Sequence, residues 1–275
     1  MSEAIDIICP VKDQDWERFD ILISSLDKHL KIPYTLIAIS PSGKCPVRRN
    51  NVLSYADSEI IPCLSEKKYN HSGWWKQQAI KLEASKKCKN EPVLILDADC
   101  FMVKDMFYED IVVNNRIRIK IDHGGSWDNW YFGSSKILNL DFDYKHNRIG
   151  VTPLILSKTI MNCLVGYLKA LFNDKHWQYL LSNTKITSSK FNPPDSPTWT
   201  EYCLYHIYGM KSRIWDQYHI NENINLSGNC FWDAKQAETW DPSLSFNDPD
   251  FYFTVAQSIS GKSAKWVKEK IADYL

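Results

Sequence analysis

A chain of 275 residues in which 33 Lys and Arg stand against 33 Asp and Glu has no net charge to draw it to nucleic acid or to an anionic membrane. Its apolar runs are far too short to span a bilayer, and Met1-Ser2-Glu3-Ala4 lacks the basic-then-apolar build of a signal peptide, so a soluble, unexported, cytoplasmic protein is expected. The eight cysteines are scattered, with no Cys-x-x-Cys pair, and read as core thiols rather than as a disulfide or zinc framework.

Ala4–Cys9 reads as the first strand, stopped by Pro10. A helix follows from about Asp15, with Phe19, Leu22, Ile23, Leu26 and Leu30 on one apolar face. Tyr34–Ile39 is the second strand, closed by the turn Ser40-Pro41-Ser42-Gly43, and Glu59-Ile60-Ile61 reads as a short third strand. The order predicts a doubly wound α/β half that binds a nucleotide. Pro10-Val11-Lys12-Asp13 has neither the dinucleotide fingerprint nor a P-loop. It could cradle a nucleobase and ribose, with Asp13 as acceptor, or Asp13 or Asp15 could simply cap the helix.

The stretch Gly73–Leu82 predicts a helix from about Trp74, with Trp75, Ala79 and Leu82 toward the core. Lys76, Gln77 and Lys81 are then left to reach donor phosphates or sugar, unless they are only the polar side of a surface helix. Val93-Leu94-Ile95-Leu96 is an apolar run of the kind buried on both faces of a parallel sheet, and it runs into Asp97-Ala98-Asp99. Ligands bind at the carboxyl ends of such strands. Alternation along an extended segment would aim both carboxylates the same way. A hard dication, Mg²⁺ or Mn²⁺, held together with substrate phosphates would relieve their repulsion. The competing reading is a polar turn in which Asp99 bonds its own backbone.

Ile117–Ile121 alternates as a strand with one buried face and leads into a Gly- and aromatic-rich loop holding His123, Trp127 and Asp128, groups suited to surround a polar ligand. Thr152–Ser157 is a further strand, after which Ser157 caps a helix with Ile160, Leu164, Tyr167, Leu168 and Leu171 inward. The Pro-rich loop with Asp195 delivers the chain to a helix start at Thr200-Glu201-Tyr202. Glu201 there suits the helix dipole and also suits a carboxylate at the edge of a site. Beyond it, Trp215–His219 could return His219 toward the metal or hold a structural histidine, Phe251–Ser258 reads as a strand, and Ala264, Val267, Ile271 and Tyr274 mark a last helix. With no repeat or linker, one domain is the simplest partition, split into a nucleotide-sugar half (1–122) and an acceptor half (123–275). Among 11 Trp and 14 Tyr, many stand near Gly and polar residues, where they could stack on sugar rings or merely pack.

The strand–helix–strand order, the helix Trp74-Trp75-Lys76-Gln77-Gln78-Ala79-Ile80-Lys81, the strand into Asp97-Ala98-Asp99, Thr152–Ser157 and Thr200-Glu201-Tyr202 together resemble GT-A type glycosyltransferases, and most of all a bacterial and viral branch of them. The resemblance implies a Rossmann-like mixed sheet of mainly parallel strands flanked by helices, at work in a bacterial or virus-infected cell. It implies a nucleotide-diphosphate sugar donor, UDP favoured, and a glycan or glycoconjugate acceptor. Mn²⁺ or Mg²⁺ would join Asp97 and Asp99 to the pyrophosphate, with His219 as a late third ligand. The donor would be held by Pro10, Lys12, Asp13, Lys76, Gln77, Lys81, Asp97 and Ala98, and the acceptor by His123, Trp127 and Asp128. An inverting enzyme would use Glu201 as base, with Asp195 and Asp128 in reserve. Two other readings remain: a haloacid dehalogenase-like phosphatase with Asp97 as nucleophile, and a catalytically inactive carbohydrate-binding relative.

Overall fold

The computed structural model describes residues 3–69, 73–121, 128–143, 148–182, 199–248 and 250–275. In chain order its strands are β1 (Ile5–Pro10), β2 (Tyr34–Ser40), β3 (Val52–Ala56), β4 (Pro92–Ile95), β5 (Cys100–Met102), β6 (Val112–Val113), β7 (Arg116–Ile119), β8 (Leu154–Ser157), β9 (His219–Asn221) and β10 (Phe253–Val255). Its helices of seven residues or more are α1 (Trp16–His29), α2 (Gly73–Glu83), α3 (Asp128–Leu138), α4 (Lys158–Leu171), α5 (His176–Ser182), α6 (Glu201–Lys211) and α7 (Ala264–Lys270).

Five strands form the main sheet in the order β3-β2-β1-β4-β8. The first four run parallel and β8 runs antiparallel to β4. This is the expected α/β arrangement, a mainly parallel sheet flanked by helices. β1 and β4 are buried along their whole length, which is why both read as unbroken apolar runs. Asp6 is the one carboxylate inside β1, and it accepts from the Lys89 and Asn90 backbone N–H groups, each at 2.6 Å. It thereby ties the start of β4 to β1. α1 buries Phe19, Leu22, Ile23 and Leu26 completely, as its period predicts. Ser157 caps α4 by accepting from Ile160 N.

The third strand differs from expectation. It is Val52–Ala56, while Asp57–Ile60 is a helical turn whose Glu59 carboxylate accepts from Ala56 N at 2.6 Å. Ile60 and Ile61 are buried from that turn rather than from a strand. β3 lies at the sheet edge and is only partly covered, so it lacks the apolar run that marks β1 and β4.

Residues on both sides of position 122 build the sheet and its surroundings: β8 completes the sheet, and β10 pairs antiparallel with β5, directly after the Asp-x-Asp segment. A small third sheet, β6-β7-β9, carries His219 opposite Ile117.

His219 and His206 sit in an aromatic knot with Tyr205 and Trp215. Burial holds both imidazoles down to a pKa of about 3, with the neighbouring His219 adding to the effect on His206. Because the folded values lie below the unfolded one, this pair's stabilisation is complete above about pH 6.5. It is lost as pH falls toward 3. The melting temperature should therefore drop steeply between about pH 6 and about pH 4; a flat profile over that range would show the histidines to be solvated.

Candidate active site

The site begins where β4 ends. Leu96 N donates to Ile8 O at 3.0 Å, keeping the chain in line with β1. The backbone then turns, with Cys100 N bonded to Asp97 O at 3.1 Å. Asp97 and Asp99 are therefore brought to one cleft by a tight turn, not by strand alternation. The cleft holds about 280 Å³ at the carboxyl ends of β1 and β4. Pro10, Lys12, Gln77, Asp97, Ala98 and Asp99 all line it, which gathers residues read from three separate stretches of sequence.

Other linings were not legible. Asp15 faces the cleft; it occupies the N-cap position of α1 but makes no side-chain cap bond there. Arg18 and Trp74 also line it, as does Gln257-Ser258-Ile259, brought in by the β5–β10 pairing. Ser258 N donates to Asp99 Oδ2 at 2.8 Å, and Ala256 N to Asp99 O at 2.9 Å. The Arg18 guanidinium donates to the carbonyls of Ala256 and Lys262, clamping both ends of that turn.

Burial raises the Asp99 pKa to about 6, and the charge of Asp97 adds to it; the Ser258 N–H and Arg18 work against both. Two carboxylates of this kind share a need for positive charge.

Lys81 is not in the cleft. It is 2 % exposed, with its ammonium 2.9 Å from Asp97 Oδ1, 3.2 Å from Glu201 Oε1 and 2.9 Å from Thr152 Oγ1. Thr152 in turn bonds Tyr202 Oη at 2.6 Å. Burial alone would lower the Lys81 pKa; the charges of Asp97, Tyr202 and Glu201 outweigh it and hold the value well above the usual one. The ammonium stands against Asp97 Oδ1 as a close ion pair, and this contact too favours its charged form. Glu201 is 1 % exposed. The Gln78 amide meets its hydrogen-bonding needs only with its NH₂ turned to the Glu201 carboxylate. Burial raises the Glu201 pKa against the pull of Lys81.

These positions correct several expectations. Lys81 is enclosed between two carboxylates and does not line the cleft. Glu201 is buried with Lys81 and Gln78 and does not line the cleft, and α6 is capped by Thr200. His219 is spent within its knot, bonding Tyr205 Oη through Nε2 and Ile117 O through Nδ1, and does not line the cleft. Asp13 accepts from Ser42 Oγ at 2.7 Å, and Lys76 lies near Asp57. Asp128 is exposed and ion-paired with Arg148. His123, Trp127 and Asp195 lie outside the described residues.

The donor set at the turn is oxygen only, which suits a hard cation. Among the described residues no three His, Cys, Asp or Glu side chains are grouped for a metal. Two carboxylates completed by substrate phosphates match the way Mg²⁺ is commonly held.

The mainly parallel sheet flanked by helices, with the cleft at its carboxyl edge, has the GT-A-like fold of a solved glycosyltransferase. Mouse xyloside xylosyltransferase 1, in its apo form, superposes with a TM-score of 0.51 over 94 % of this chain and 100 % of its own, at 8 % sequence identity. That likeness is one of fold. The chain belongs to DUF6492, a family of unknown function, which matches residues 2–275. None of the curated proteins matches it in sequence.

Proposed function

We propose that this protein is a metal-dependent glycosyltransferase that moves a sugar from a nucleotide-diphosphate donor, UDP favoured, to a hydroxyl of a glycan or glycoconjugate. The observation that carries the reading is the turn Asp97–Asp99, which puts two carboxylates in one cleft at the carboxyl ends of β1 and β4. The fold shared with a xylosyltransferase supports it.

Asp97 and Asp99 would hold Mn²⁺ or Mg²⁺. The ion, when bound, offsets charge on the departing diphosphate. Lys12 brings a further positive charge to the cleft and Gln77 a carboxamide able to bond sugar or phosphate oxygens. Lys81 fixes Asp97 from behind, so that the carboxylate meets its ligand already oriented. Glu201 positions Lys81 rather than taking a proton from the acceptor. The phosphatase reading gains nothing from the structure, since the motif follows the fourth strand of the chain rather than opening the fold.

The test is a panel of nucleotide sugars, UDP-xylose among them, incubated with Mn²⁺ and scored for nucleotide diphosphate release. Release is expected with at least one donor and should stop on adding EDTA. No release from any donor, together with no shift in melting temperature, would overturn the proposal. Glycan binding that survives EDTA and Asp99→Asn would point to the carbohydrate-binding relative instead.

A further inference from the structure

Trp74 stands in the first turn of α2, lines the cleft beside Asp97 and Asp99, and is 41 % exposed. It does not stand alone. Trp75 meets it edge-on with ring centroids 4.6 Å apart, and Trp130 of α3 leans on it at 5.9 Å. Trp75 in turn packs at 5.3 Å on Trp199, which is 1 % exposed. A row of indoles thus runs from the core to the cleft and ends in an open ring.

What sets Trp74 apart from other exposed apolar side chains is that its open face lies inside a polar cleft, where a ligand can cover it. The bracing also matters. A ring fixed by neighbours loses little side-chain freedom when a ligand covers it. Around the open ring the cleft is polar. Gln77, one helical turn on, lines the same cleft, and the Lys12 stem lies against the start of α2, 4.0 Å from where a Cβ on Gly73 would stand. An apolar plate edged by a carboxamide and an ammonium matches a pyranose, which has a C–H face and a rim of hydroxyls.

Building on the transferase reading, we propose that Trp74 is a stacking platform for a pyranose ring of the substrate. The ring comes either from the donor sugar or from the acceptor. The probes separate the two sources: UDP alone, a set of UDP-hexoses and UDP-xylose, and the methyl pyranosides of the same sugars, each titrated with Mn²⁺ by calorimetry and saturation-transfer NMR. Trp74→Ala should weaken binding of the sugar-bearing probe about tenfold or more, whereas UDP alone should bind as before. Trp74→Phe, which keeps a ring, should recover most of the loss. A deficit confined to UDP-sugars assigns the donor ring; one confined to methyl pyranosides assigns the acceptor ring.

Unchanged affinity of Trp74→Ala for every sugar probe overturns the platform. So does an equal loss for UDP alone, which would assign the ring to the base, and so does a wild-type protein that binds none of the sugar probes. A melting temperature of Trp74→Ala close to the wild type's, with Trp74→Phe as the second variant, separates lost stacking from lost fold. If UDP and Mn²⁺ fail to bind but pyranosides still bind through Trp74, the platform stands while the transferase reading falls.

Discussion

Lys81→Met should cost the folded state roughly 3–5 kcal/mol, measured by urea unfolding. The ammonium is buried with two carboxylates, 2.9 Å from Asp97 and 3.2 Å from Glu201, and it donates to Thr152 Oγ1. Met has similar length and apolar bulk, so little cavity is left and the loss is electrostatic. Glu201, 1 % exposed, must then either stay charged beside Gln78 without the ammonium or take up a proton. The burial that already raises its pKa would then act without the opposing cation. A second substitution checks the cause: in Lys81→Met/Glu201→Gln the orphaned charge is gone, and a good part of the loss should return. A single variant within about 1 kcal/mol of wild type would show that water reaches the cluster.

The misreading of Lys81 shows where a single sequence runs short. A helix from about Trp74 was legible; it starts at Gly73, and of its expected inward face Ala79 and Leu82 are buried and Trp75 partly so. A lysine is assigned to the solvent side by default, since long charged side chains are seldom enclosed unless paired. Its partner, Glu201, lies on another helix. The available hint was Gln78, which sits three residues before Lys81 and so on the same face.

The carboxylate pair was legible for a different reason. Four apolar residues mark a doubly buried strand, and charge can begin only where that strand leaves the sheet. A turn was the competing reading there; what the pattern hid was that this turn itself brings both side chains to one cleft. Hidden too was Gln257-Ser258-Ile259, because the bond from Ser258 N to Asp99 spans 159 residues and rests on a three-residue strand pair. The edge strand Val52–Ala56 escaped notice because half-covered residues carry neither an apolar run nor a clean alternation.

Mn²⁺ should raise the melting temperature of the wild-type protein at about pH 7.5 and fail to do so at about pH 5. Asp99→Asn should remove the effect at both, and should lower donor turnover about a hundredfold or more. The folded pKa of Asp99 is about 6, against an ordinary 3.8. Between those values the folded state holds a proton on Asp99 that the unfolded state has lost, so this one group costs the metal-free protein stability as pH rises through the window, against the larger and opposite trend of the two buried histidines. A cation needs the carboxylate ionised, so its affinity climbs over the same range. The two trends meet above about pH 6, where the apo site is strained by Asp97 beside Asp99 and the ion relieves it. The buried histidines also titrate below pH 6.5, but they act on apo and metal-bound protein alike. The difference between melts with and without Mn²⁺ at each pH isolates the carboxylates. If that difference is flat with pH, or survives in Asp99→Asn, the ion is held somewhere other than the turn.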